Sequence, residues 1–458
     1  MEYFHSVRLD KEKCKGCVNC IKKCPVEAIR VRHGKAEIME ERCIDCGECI
    51  RACPNHAKYA ERDSLQDLAL FSYTVALTAP SLYGQFRDNV SPARILAAVK
   101  ALGFDDVCEV ALGAEMVSQA VRDYLQANHH LRPLVSSACP AVVRLVQVRF
   151  PALVDHIIPL ESPMQVTASF MRRKTAQETG LPSEKIGIFF LSPCPAKVTA
   201  VKNPVGGLPS EVDRVLAVAD VYGRLLENLR QEQPCLTRAD RLGIGWGASG
   251  GEVAAAGIEN ALIVDGIHNV ISVLEEIELG RLGDIDFIEA QACPGGCVGG
   301  ILNVNNRFVA GVRLRHLVRD LPPREPLAER LAAAGFPSVP VPRIEVQPRP
   351  IVRLDRDLKR AMQKLQQVQT LIEHLPGLDC GSCGAPTCRA LAEDIAVGKA
   401  LETDCIFKLR ERIMALAQET YNLARAVPPA MDQTKTAKGG NKGENGGPAG
   451  GAGTGTQT

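Results

Sequence analysis

The chain has 458 residues, 46% of them hydrophobic and 23% charged, with a formal net charge of +1. That is ordinary globular usage for two to four domains at ~150 residues each, and the near-zero charge argues against nucleic acid or an anionic membrane surface as partner. The N-terminus, MEYFHSVRLDKEKCKGC, lacks a basic-then-apolar signal pattern, and no apolar run approaches the ~20 residues that span a bilayer, so the expectation is a cytoplasmic protein without membrane segments. In a reducing compartment its 18 cysteines point to metal binding or redox work rather than disulfides.

Residues 1–62 carry an internal repeat: CKGCVNCIKKCP at 14–25 returns as CIDCGECIRACP at 43–54. Each half is Cys-x2-Cys-x2-Cys-x3-Cys-Pro, a spacing in which three thiolates hold one cubane and the fourth crosses to the other. Cys14, Cys17, Cys20 and Cys53 are expected to hold one [4Fe-4S] cluster, and Cys43, Cys46, Cys49 and Cys24 the second, in a bacterial-type 2[4Fe-4S] ferredoxin domain. A pair of zinc sites is the alternative.

Residues 70–320 alternate short apolar strands with amphipathic helices. YTVALTAP (73–80), DVCEVAL (106–112), LVSSAC (134–139) and IGIFFLSPC (186–194) read as buried parallel strands, with helical periodicity in ARILAAVKAL, AEMVSQAVRDYLQ and MQVTASFMRRKTAQ between them. A second lobe is expected from about 205, with helices near 211–230, 251–262 and 269–280 and a strand at 285–291. The fold class is therefore multidomain α/β with two lobes in this region. Residues 321–354 are proline-rich and read as a surface crossover or linker. A helix at 355–374 then leads to CGSCGAPTC and Cys405, and a helix near 406–425 follows, so 355–425 forms a small, mainly helical domain. Its cysteines are spaced Cys380-x2-Cys383-x4-Cys388-x16-Cys405, which suits a third accessory [4Fe-4S] cluster and also a structural zinc. The glycine-rich tail, 426–458, cannot bury a core and is expected to be disordered.

Four cysteines remain grouped in the middle region. Cys139, Cys194 and Cys293 each stand where a predicted strand ends, and ligands of open parallel sheets gather at such ends. Cys297 follows Cys293 in EAQACPGGCVGG, a spacing of three intervening residues that fits neither a zinc ribbon nor a redox motif and suggests something larger than one metal ion. A proline accompanies each loop, in ACPA, SPCPAK and ACPGG, and stiffens it by fixing φ. Cys108 lies on an apolar strand and Cys235 in a loop, and neither is assigned a role.

These three segments resemble the signature loops of the large subunit of the iron-only ([FeFe]) hydrogenases. Ser136-Ser137-Ala138-Cys139-Pro140 is similar to that family's Thr-Ser-Cys-Cys-Pro, Ser192-Pro193-Cys194-Pro195-Ala196-Lys197 to Met-Pro-Cys-x-x-Lys, and Glu289 to Gly300 to the third loop with one residue fewer before the glycine pair. The resemblance implies an H-cluster, a [4Fe-4S] cubane joined to a two-iron subsite carrying CO and CN ligands. Cys139, Cys194 and Cys293 would bind the cubane, and Cys297 would bind it while bridging to the subsite. Lys197 and Ser81 resemble residues that donate to the cyanides. The C-terminal cysteines resemble the small Fe-S domain of corrinoid iron-sulfur and electron-transport proteins, which favours iron there.

The departures from the catalytic branch concern protons. The cysteine that relays them is Ala138 here, the acidic pair downstream of Glu115 falls on Ala120 and Val121, and the acid after the second loop is replaced near Ala200. Ser192, Gln291 and Met164 replace two methionines and a glutamine around the subsite. Losing a positioned acid or base costs ~10²–10⁴-fold in rate, about 3 to 5 kcal/mol. The pattern resembles the sensory hydrogenases and implies hydrogen binding with slow reversible H2 oxidation and proton reduction, serving hydrogen sensing or redox regulation. It further implies H2 and protons as substrates, ferredoxin or another redox carrier, maturation enzymes for the subsite and a separate signalling protein as partners. A conventional hydrogenase with an unusual proton path, and an electron-transfer or assembly protein without the two-iron subsite, are the alternatives.

Overall fold

The computed structural model describes residues 4–87, 90–128, 130–230, 235–336, 339–349, 354–355, 357–426 and 431. The chain divides into two compact units, Met1–Ala400 and Leu401–Thr458.

In the first unit, strand β1 (Val7–Leu9), the hairpin β2 (Ile29–Arg32) and β3 (Lys35–Ile38), and strand β4 (Lys58–Ala60) frame the cysteine repeat. β1 pairs antiparallel with β4, Val7 opposite Ala60, so the two ends of the repeat close on each other. The hairpin turns through His33 and Gly34, both at positive φ (49° and 71°), the left-handed pair that a two-residue turn between right-twisted strands requires. Short helices, Asn19–Lys22 and Glu48–Arg51, carry the third cysteine of each half, Cys20 and Cys49.

Two parallel sheets follow. β5 (Tyr73–Thr78), β6 (Asp106–Glu109), β8 (Ile186–Ser192) and β9 (Arg214–Ala217) form one in the order β6-β5-β8-β9. β7 (Leu134–Val135), β10 (Ala261–Asp265) and β11 (Phe287–Gln291) form the other in the order β10-β11-β7. Every residue of β8 is buried, as expected for a central strand covered by helices on both faces. Helix Val110–Ala127 packs on helix Pro163–Thr179. A Cβ on Gly113 would lie 2.2 Å from Thr167 Oγ1, so the crossing needs glycine.

The lobes differ from the sequence expectation in membership. β7 leaves the N-terminal half to join the second sheet, while β9 returns from beyond residue 205 to the first. The ranges 211–230 and 251–262, read as helices, each split: strand Arg214–Ala217 precedes helix Val218–Asn228, and helix Gly251–Ala256 precedes strand Ala261–Asp265. DVCEVAL is strand only to Glu109, with a helix starting at Val110, and LVSSAC is strand only at Leu134–Val135.

Residues 321–354 include helix Leu327–Ala333 and are fastened to the body: Leu331 and Ile344 are buried, and Arg330 pairs with Glu115. Helix Leu358–His374 packs on helix Cys388–Ala396. The second unit contains helix Ile406–Arg425, which starts at Cys405. The tail expected to be disordered lies, Ala426 and Met431 apart, outside the described residues. Among the described residues no helix is long and apolar enough to cross a membrane.

Candidate functional site

Cys139, Cys194, Cys293 and Cys297 line one cavity between the two sheets. Two of them cap helices: Cys139 precedes Pro140–Arg149, and Cys194 precedes Pro195–Lys202. Proline at the first position suits the helical φ and sacrifices no needed N–H, and the positive helix ends stand next to the thiols that must become anionic. Gly295 and Gly296 carry the third loop at φ of 81° and 88°, and the Gly296 N–H donates to Cys293 O at 3.0 Å. A Cβ on Gly299 would lie 2.1 Å from Pro294 O, and one on Gly300 2.3 Å from Pro193 O. Gly299 therefore lets the third loop fold on itself, and Gly300 lets the second and third loops close together.

Electrostatics fit these residues to a cationic metal cluster. Burial, then the neighbouring Cys194, Cys139 and Cys297, pushes the Cys293 thiol well above its ordinary value. Burial pushes Cys297 up to about 12 and raises Cys194, with Lys197 opposing both shifts. Protein charges alone do not ionise Cys194, Cys293 and Cys297; a metal cluster would supply the missing positive charge, and its binding would release their protons.

Lys197 and Ala138 both line the cavity, and Lys197 Nζ donates to Ala138 O at 3.3 Å. Ser81 is fully buried beside the lining residues Ala79 and Pro80, and its hydroxyl has no partner among the described residues. A buried hydroxyl without a partner costs about 1–3 kcal/mol, a cost that an acceptor bound in the cavity would remove. Met164 and Gln291 also line the cavity. Ser192 accepts from Cys194 N at 3.2 Å and donates to Cys194 O at 2.9 Å, fixing the turn. Glu115 is committed elsewhere: it holds Arg330 and accepts from Asp240 N. Val121 is packed in the core.

Sequence reasoning missed a pair of buried acids. Glu252 lines the cavity and is almost completely buried, its Oε2 2.7 Å from Ser136 Oγ. Glu289, fully buried, accepts from Gly250 N at 2.8 Å, Val253 N at 2.9 Å and Gln291 Nε2 at 3.1 Å. Burial, then the charge of Glu289, drives the Glu252 carboxyl well above the usual range; burial also raises Glu289 against the amides of Val253 and Gly250. Both shifts favour the protonated form of these acids. The available signal was a glutamate, in GASGGEV, within an otherwise apolar and glycine-rich stretch.

Cys24, Cys43, Cys46 and Cys49 line a second cavity of about 350 Å³. Cys20 is raised by burial, opposed by Lys58, and raised further by Cys17, Cys14 and Cys53. The domain is tied to the larger cavity: Ser6 Oγ donates to Pro195 O at 2.9 Å, and Arg51 Nη2 to Gly299 O at 2.8 Å. Cys380, Cys383 and Cys388 share one loop of the first unit, and Cys405 is buried in the second.

Residues 72–257 and 244–301 match the model of the iron only hydrogenase large subunit, C-terminal domain. Residues 6–54 match a 4Fe-4S dicluster domain, and residues 375–407 a family model proposed for Fe-S cluster binding. The NADP-reducing hydrogenase subunit HndD of Solidesulfovibrio fructosivorans is 24% identical over 63% of this chain and 55% of its own length. Iron hydrogenase 1 of Clostridium pasteurianum is 22% identical over 45% of this chain and 44% of its own. The chain thus spans about half the length of these relatives. A variant of the [FeFe]-hydrogenase HydA1 from Chlamydomonas reinhardtii superposes with a TM-score of 0.51 at 15% identity, over 63% of this chain and 98% of that one, a likeness of fold. With half of its residues covered by the hydrogenase model, the chain belongs to the iron only hydrogenase large subunit family, with an N-terminal 4Fe-4S dicluster domain and a C-terminal FeS domain.

Proposed function

We propose that this chain binds hydrogen at an H-cluster held by Cys139, Cys194, Cys293 and Cys297, turns it over slowly and reversibly, and serves hydrogen sensing or redox regulation. The observation that carries this reading is one cavity that gathers four thiols, Lys197 and a methyl group, Ala138, where the catalytic relay needs a thiol. When bound, the H-cluster supplies reversible two-electron chemistry at H2. The residues of the chain do the rest. Lys197 offsets negative charge near Cys194 and Cys297. The apolar lining limits water. Ala138 has no proton to give, whereas Glu252, whose burial favours the acid form, stands at the cavity wall. A single buried acid hydrogen-bonded to Ser136, without the thiol, supports slow rather than fast proton delivery.

Cys14, Cys17, Cys20 and Cys53, and Cys43, Cys46, Cys49 and Cys24, would hold the two N-terminal [4Fe-4S] clusters, which exchange electrons with ferredoxin or another one-electron carrier. The spacing of Cys380, Cys383, Cys388 and Cys405 supports a third. Maturation enzymes would insert the two-iron subsite, and a separate signalling protein would read the redox state in a cytoplasmic setting. The test is infrared spectroscopy of anaerobically matured protein with and without hydrogen. Carbonyl and cyanide bands that shift with hydrogen support the reading. Their absence in protein with complete cubanes and verified maturation sinks it in favour of an electron-transfer or assembly role.

A further inference from the structure

The loop carrying Cys380, Cys383 and Cys388 is seated on the ferredoxin domain. Val31 N donates to Gly384 O at 2.8 Å, Arg32 Nη1 to Cys383 O at 2.9 Å and Lys22 Nζ to Pro386 O at 3.3 Å. One carboxylate oxygen of Asp394, in the helix that starts at Cys388, accepts from Arg30 Nε and Arg32 Nη2, each at 2.7 Å. Arg30 and Asp394 are almost fully buried there, at 6% and 10% side-chain exposure, so the clamp is shielded from solvent screening. Gly384 has φ +79° and a Cβ there would lie 2.0 Å from Val31 O; a Cβ on Gly381 would lie 3.2 Å from Lys22 Cε. Lys22 stands between Cys20 of one ferredoxin site and Cys24 of the other. The loop therefore abuts the segment that joins the two sites, and the same domain is tied through Ser6 and Arg51 to the cavity holding Cys194 and Cys297. Cys380 is exposed at the outer end of this path.

We propose that the C-terminal cysteine loop is an electron port of the ferredoxin domain, with Asp394 as the positioning residue that keeps it within tunnelling reach. A soluble one-electron carrier gives or takes one electron at this loop and is itself oxidised or reduced by one. The cluster these cysteines would hold supplies the one-electron site, the Val31–Gly384 and Arg30–Asp394 contacts keep this loop on the ferredoxin domain, and two one-electron transfers would match the two electrons of one H2. The proposal rests on the reading that Cys380, Cys383, Cys388 and Cys405 hold a [4Fe-4S] cluster.

The test uses the full chain with its clusters, reduced by dithionite and examined by electron paramagnetic resonance, beside iron and zinc analysis. The wild type should give a broadened, fast-relaxing signal from interacting spins. Asp394→Ala should convert the C-terminal contribution to a narrow, slowly relaxing signal at unchanged iron content, and Asp394→Asn should keep part of the interaction. Arg32→Gln removes one arm of the clamp from a partly exposed position and should weaken the interaction in the same direction if Asp394→Ala loses iron. Additive, non-interacting signals in the wild type, or an interaction untouched by all three variants, overturn the port with the cluster reading intact. One zinc per chain and no third accessory signal overturn the cluster reading as well.

Discussion

Glu252 offers a test that needs no cofactor. Its carboxyl lies against Ser136 and near Glu289 at the cavity wall, and burial with the Glu289 charge raises its proton affinity in the folded chain. In the unfolded chain it titrates near ~4.3. Between that value and its raised folded value, the folded state keeps a proton that the unfolded state has lost. Its contribution is present below the unfolded pKa and is lost as pH rises through the folded one, with a slope of up to about 1.4 kcal/mol per pH unit. Glu252→Gln cannot ionise in either state. From pH 5 to 7 the wild-type apoprotein should therefore lose about 2–3 kcal/mol relative to the variant. Urea unfolding followed by fluorescence measures this directly, because Trp246 is the sole tryptophan and lines the same cavity, with Nε1 3.0 Å from Ser118 Oγ. Parallel stability curves for the two proteins across that range would refute the buried protonated acid.

Three further outcomes are expected. Ala138→Cys places a thiol on the cavity wall and should raise hydrogen turnover of matured protein at least about tenfold, part of the ~10²–10⁴ that a positioned acid supplies; gas chromatography of evolved H2 reads it. Gly300→Ala puts a methyl group 2.3 Å from Pro193 O, so it should cost about 1–3 kcal/mol of stability and deplete iron at the middle site while the ferredoxin signals persist in electron paramagnetic resonance. Lys197→Ala removes the cation that opposes the raised Cys194 and Cys297 thiols. Protons then compete better for those sulfurs, and chelator-monitored iron release should move to higher pH by up to about one unit.

Much of the site was legible because its chemistry is written in local spacing. The eight N-terminal cysteines state their own grouping through Cys-x2-Cys-x2-Cys-x3-Cys-Pro, and the structure groups Cys24 with Cys43, Cys46 and Cys49 accordingly. The middle cysteines follow strands β7, β8 and β11, whose apolar character is visible residue by residue, and helix 406–425 carries its periodicity in plain view. Strands Arg214–Ala217 and Ala261–Asp265 were misread because four or five residues beside a helix give too short a pattern, and only pairing with β8 and β11 makes them strands.

Tertiary structure decided the rest. No local pattern places Glu252 within reach of Ser136 across 116 residues, or Asp394 upon Arg30 across 364. Cysteine spacing is set by the reach of a few residues around one cluster, so the sequence alone determined which cysteines belong to each motif. Sheet order and domain docking depend on how separate faces fit. They decided where a proton can rest beside the cavity and which end of the chain meets the ferredoxin domain.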